Sequence, residues 1–150
     1  MNTIRGQIQI NRLPGDVFNY VTTFGTWKDW YPITKRVTGA TDHPCEPGEE
    51  CTEYVSIFLI PFKFYWKVLE KDFPRRFVFA GTSNAGGKAT ITYTFTSRDG
   101  GTWFERELDY CQTRPLMKLA DWLCIRSYVG RVSDQAIQNA KANLEAAKAN

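Results

Sequence analysis

What the chain lacks narrows its chemistry before any motif is read. Among its 150 residues it has a single histidine, His43. That residue sits in a turn-like stretch, so a Ser-His-Asp or Cys-His apparatus is disfavoured. There is no glycine-rich nucleotide loop. The four cysteines are Cys45, Cys51, Cys111 and Cys124. In DHPCEPGEEC, His43, Cys45 and Cys51 lack the close Cys pairs or paired His of zinc sites, so four thiols, no metal and no cofactor are expected. No basic stripe is present either: 19 Lys and Arg against 16 Asp and Glu are interspersed, for a net charge of +3. This argues against nucleic acid and leaves only a transient attraction to an anionic membrane surface. The N-terminal MNTIRGQIQI lacks the charged-then-apolar pattern of a secretory signal, and the C-terminus shows no lipidation motif. A cytoplasmic location is therefore expected.

Long apolar runs are also missing. The greasiest stretch, Tyr54 to Val68 (YVSIFLIPFKFYWKV), is shorter than the roughly 20 residues a spanning helix needs, and it contains Pro61, Lys63 and Lys67. β-Branched and aromatic residues on both sides of Pro61 predict two strands instead. Aromatic residues are plentiful, with ten Phe, seven Tyr and five Trp. Each can bury about 150–250 Å², enough for one well-filled domain spanning residues 1–150.

Alternation of Ile4, Ile8 and Ile10 with polar residues predicts a first strand. Pro14 to Phe24 and Thr26 to Tyr31 predict two short helices, the second placing Trp27 and Trp30 on one face. Six strands should follow, over 34–41, 50–60, 62–71, 75–82, 88–97 and 102–111. Pro47-Gly48, Phe73-Pro74, Asn84 to Gly87 and Asp99 to Gly101 supply the turns between most of them. Pro115 opens a helix running almost to the end, with Leu116, Leu119, Leu123, Val132, Ala136, Ala140 and Leu144 as its apolar stripe. Its tail, NAKANLEAAKAN, is rich in helix formers. Gly130 inside it marks either a close approach or a bend.

Strand parity then assigns faces. Lys63 and Lys67 prefer water, which sends Phe64, Trp66 and Val68 inward, with Tyr54 and Phe58 exposed near the rim. Phe77 and Phe79 follow. In ATITYTFT (89–96), Ile91, Tyr93 and Phe95 face away from four threonines. On the last strand Phe104, Leu108 and Tyr110 point in, and the same parity places Arg106 among them. A buried guanidinium costs several kcal/mol unless paired. Two readings stay open: an ion pair with Glu53 or Asp121, or an anchor for an oxygen of a bound molecule. Trp103, Tyr65 and Val78 are expected to be exposed on the outer face, where clustered aromatics would mark an interface.

Four local patterns in order carry a resemblance: IQINRLPGDVF (8–18), WKDWYP (27–32), VLEKDFPRRF (68–77) and GGTWF (100–104). Over essentially the whole chain they resemble the START-like (SRPBCC) superfamily of polyketide cyclases, aromatase/cyclases, lipid-transfer domains and ligand carriers. The resemblance implies an α+β helix-grip fold, in which a curved antiparallel seven-stranded sheet (β-α-α-β6-α) wraps around a long C-terminal helix and leaves a cavity. It implies a hydrophobic small molecule or lipid as partner, contacted by Trp30, Val55, Ile57, Phe64, Trp66, Phe77, Phe79, Tyr93, Phe95, Phe104, Arg106 and Leu123. An enzymatic alternative of the cyclase/dehydratase kind would use Arg106, Tyr93 and Glu53. A third is a protein-interaction domain with a filled cavity. A monomer or homodimer fits all three.

Overall fold

The computed structural model describes residues 2–148. Met1 of the N-terminal stretch and Ala149 and Asn150 of the helix-forming tail lie outside them. The element order is β1 (Asn2–Ile10), α1 (Pro14–Thr22), a tight helical turn (Phe24–Thr26), α2 (Trp27–Trp30), β2 (Thr34–Gly39), β3 (Glu50–Ile57), β4 (Ile60–Asp72), β5 (Arg76–Ser83), β6 (Lys88–Arg98), β7 (Gly101–Cys111), α3 (Pro115–Ala120), a π-helical turn (Asp121–Ile125) and α4 (Arg126–Lys148). All seven strands pair antiparallel in the order β1-β7-β6-β5-β4-β3-β2. This is the expected α+β helix-grip architecture.

Two bulges bend the sheet, one between Val68 and Glu70 on β4 and one between Thr34 and Arg36 on β2. Its concave face carries the inward set that parity predicts. Trp66, Val68, Phe77, Phe79, Ile91, Tyr93, Phe95, Phe104, Leu108 and Tyr110 are all buried. Two glycines permit close packing. A Cβ on Gly81 would lie 2.3 Å from the Tyr65 carbonyl oxygen and 2.8 Å from the Trp66 ring; one on Gly6 would meet Ile137 of α4 at 3.2 Å. The helix thus approaches the sheet through Gly6. Gly130 has open space around it, so it makes no close approach, and the helical irregularity falls before it.

That irregularity corrects the expected stripe. Val132, Ala136, Ala140 and Leu144 are buried as expected, but Leu116, Leu119 and Leu123 are exposed. The π turn at Asp121–Ile125 inserts about one extra residue, which rotates everything before it by roughly 100° relative to α4. Asp121 is thereby turned in. Its carboxylate accepts hydrogen bonds from the Tyr110 hydroxyl at 2.7 Å and the Asn2 amide at 2.8 Å.

The β3–β4 reversal also differs from expectation. The chain turns at Phe58-Leu59 rather than at Pro61, and both turn residues have positive φ, 52° and 66°. Pro61 pairs with Ser56 inside the ladder, at a point where β4 has β3 on one side and β5 has not yet begun to pair, so its missing N–H leaves no gap. On the outer face Tyr65 is exposed, while Trp103 is half-buried with the Arg98 guanidinium 4.4 Å above its ring. Val78 is buried, flanked by Glu70 and Thr92 on its neighbouring strands in mid-sheet.

Candidate functional site

The concave face has a filled half and a hollow half. In the filled half α1 lies over the sheet: Phe18 meets Phe77 edge-on at 5.8 Å and Phe95 at 5.0 Å, and Phe95 stacks on Phe104 at 5.2 Å. Phe77, Phe95 and Phe104 therefore build solid core and do not line the hollow. Trp30 is likewise structural. Its indole N–H donates to Thr26 Oγ1, and its carbonyl accepts from Asn139 of α4. Leu123 faces solvent.

The hollow half brings together the other expected residues: Val55 and Ile57 of β3, Phe64 and Trp66 of β4, Phe79 of β5, Tyr93 of β6 and Arg106 of β7. Glu53 joins them. The cavity volume is about 100 Å³. Apolar cavities of roughly 150 Å³ admit a benzene-sized guest, so a longer guest must also occupy the mouth or displace side chains.

Trp27, Tyr31, Ile33, Ile125 and Val129 also line the wall, as do Ala89, Ile91 and Leu108. Trp27 belongs there because it packs on Phe79 at 5.4 Å and edge-on to Trp66 at 6.3 Å. The shared face of Trp27 and Trp30 was legible in their spacing; which of the two reaches the hollow depends on how α2 docks. Ile125 enters because of the π turn, which no periodicity reveals.

At the polar end, Arg106 is 3% exposed. Its Nη1 donates to Ser133 of α4 at 2.8 Å, and its guanidinium lies 4.9 Å from the Tyr31 ring centre. Its Nε has no hydrogen-bond partner. Neither expected carboxylate pairs with it. Glu53 instead accepts from Thr34 Oγ1 at 2.5 Å and from the Trp66 indole N–H at 2.9 Å, and Asp121 is held by Tyr110 and Asn2. Burial pushes the Glu53 pKa above its ordinary value, against the opposing pull of those two hydrogen bonds and of Arg106. Burial also raises the Tyr93 hydroxyl, although Arg106 draws it the other way. The arrangement is thus an apolar chamber with one buried cation, one weakly acidic carboxyl and two neutral phenols at one end.

His43 lies on the surface between Asp42 and Glu49, with its pKa raised by hydrogen bonds to Asp42 and Glu49. Cys45 and Cys51 are buried thiols, both with pKa raised by burial, Cys45 to about 11. No helix is long and apolar enough to cross a membrane among the described residues.

A curved sheet gripping a C-terminal helix over such a chamber defines a START-like domain. The chain belongs to the family described as "Polyketide cyclase / dehydrase and lipid transport", whose model matches residues 1–145. Among solved structures it is similar to the protein TTHA0849 from Thermus thermophilus, with a TM-score of 0.82 at 13% identity, covering 97% of this chain and 99% of that one. A START superfamily protein from Mycobacterium smegmatis gives a TM-score of 0.74 at 12% identity, covering 95% and 97%. CV1439 from Chromobacterium violaceum gives 0.71 at 16%, covering 96% and 97%. At such identities the likeness is one of fold. No curated protein matches the chain.

Proposed function

We propose that the protein binds a hydrophobic small molecule or lipid in the chamber, as a cytoplasmic ligand carrier, and that the guest carries an oxygen head, carboxylate or carbonyl, that meets Arg106. The observation that carries this reading is the unpartnered Nε of a buried guanidinium in a chamber walled mainly by apolar side chains. A buried donor without an acceptor is costly, and a guest oxygen relieves that cost at the moment of binding. Desolvation supplies the rest: burying about 300 Å² of apolar guest at about 25 cal/mol per Å² gives roughly 7 kcal/mol before association costs.

Decanoate and decanol titrated by calorimetry test the proposal. The expected result is binding of both, decanoate more tightly, with both lost in Ala89→Phe, which adds a ring to the chamber wall. No heat from either, or binding unchanged by that substitution, overturns it.

The second reading is enzymatic, and one observation favours it: Arg106, Tyr93 and Glu53 line the same chamber. Arg106 would stabilise an enolate, while Glu53, its pKa raised by burial, or Tyr93 would move a proton, as cyclisation or dehydration of a polycarbonyl chain requires. Turnover of such substrates that Arg106→Met leaves unchanged would remove Arg106 from that role.

A further inference from the structure

Lining residues that reach the surface mark the mouth of the chamber: Ser83 and Lys88 at the β5–β6 turn, and Cys111, Gln112, Ile125 and Val129, with the β3–β4 tip beside them through Phe58 and Tyr128. Around this mouth the surface departs from that of an ordinary soluble protein in two independent ways.

The first is apolar exposure. Leu59 is 95% exposed, Leu116 and Trp122 76% each and Leu123 64%, with Ile60 and Leu119 more than half exposed. Phe58 and Leu59 fill, at positive φ, the two turn positions that ordinarily take Asn-Gly. Bulky residues are strained there, and a tighter hairpin needs neither side chain. Leu116, Leu119 and Leu123 are outside because the π turn puts them there. The Phe58 ring packs against Tyr128 of α4, 4.4 Å away and tilted by 34°, which ties the tip to the helix.

The second is charge. Residues 57–63, 83–88 and 111–131 contain six basic residues, Lys63, Lys88, Arg114, Lys118, Arg126 and Arg131, and one acid, Asp121. Asp121 is buried against Tyr110. Among the described residues none of the six cations forms an ion pair. Elsewhere basic and acidic residues nearly balance, so the positive excess of the molecule collects at the mouth.

We infer that the mouth is a docking surface for an anionic lipid bilayer, with Leu59, Leu116, Trp122 and Leu123 seated at headgroup level and the six cations over the lipid phosphates and carboxylates. An apolar face with Trp at its edge and unpaired Lys and Arg around it is the pattern of an interfacial helix. A second copy fits poorly, because a two-fold interface would set this acid-free rim against itself. The docking stands apart from the chamber proposal; its consequence, if both hold, is that a guest passes between bilayer and chamber without crossing water.

Co-sedimentation with vesicles tests it, without added guest, comparing phosphatidylcholine alone with three parts phosphatidylcholine to one part phosphatidylserine. The expected result is pelleting with the mixed vesicles and at least about tenfold weaker binding to phosphatidylcholine alone. Leu59→Asn keeps a residue suited to positive φ and removes the apolar tip; Lys118→Glu with Arg126→Glu reverses the charge. Each should weaken binding about tenfold with the melting temperature unchanged or, for Leu59→Asn, higher. Equal binding to both vesicle types, no binding to either, variants that bind like wild type, or a dimer in light scattering that Leu59→Asn dissociates would each overturn the inference.

Discussion

A guanidinium held almost wholly out of water with no carboxylate paired to it is a poor contributor to stability, and its replacement by an apolar side chain of similar length is often neutral or stabilising. Arg106→Met is therefore expected to leave the melting temperature unchanged or raise it, while decanoate affinity falls about tenfold to a hundredfold, the range for a hydrogen bond to a charged group. Decanol affinity should fall less. Glu53 makes stability depend on pH. Burial raises its pKa, so the native state holds the proton at higher pH than the unfolded chain does. The resulting contribution is complete below the ordinary value of 4.5 and is lost as pH rises through the raised native value. Glu53→Gln keeps an acceptor for the Trp66 indole and reverses the Thr34 bond, its amide donating to Thr34 Oγ1. Thermal melts should show it more stable than wild type at pH 7, with the difference closing below pH 4.5. That Arg106 and Glu53 point inward was readable from the period of two along β7 and β3. That they do not pair was not readable, because it depends on the hydrogen bonds Thr34 and Trp66 offer Glu53 from neighbouring strands.

Between β7 and α4 the chain solves a registry problem that side-chain spacing conceals. With a uniform helix, Leu116, Leu119 and Leu123 share the stripe of Ala136 and Leu144; the π turn separates them, and Asp121 fixes the turn to Tyr110 and Asn2. The one sign in the sequence is Asp121 itself, an acid in the apolar run LMKLADWLCI. Asp121→Ala strands the Tyr110 hydroxyl and should destabilise the protein by about 1–3 kcal/mol, measured by urea titration. At the β4–β5 pairing, Gly81→Ala drives a methyl into the Tyr65 carbonyl and the Trp66 ring. An overpacking loss of about 1–3 kcal/mol is expected in the same assay. The hairpin tip shows a similar gap between pattern and outcome. Pro61 looks like the break, yet the reversal comes at two bulky residues whose left-handed conformation no local preference would suggest.

For the molecule as a whole, the curved sheet carries one apolar face, broken only where Glu53 and Arg106 point in, and alternation reads identically over its filled and hollow halves. Phe95 and Phe104 on one side and Ile91 and Leu108 on the other sit on the same strands with the same period. The position of α1 over the first pair, with Phe18 against Phe95, makes that half core, and where a helix docks is a property of the three-dimensional fold. The fold was legible because hairpin turns and parity are local; the extent of the chamber was not. A crystal structure of the protein grown with decanoate is the most direct test. The expected density is an extended chain between Trp66, Phe79 and Ile91 with a carboxylate oxygen within hydrogen-bonding distance of Arg106 Nε. Decanoate bound only outside the chamber, or a chamber closed by side chains with Arg106 satisfied by a protein acceptor, would contradict it.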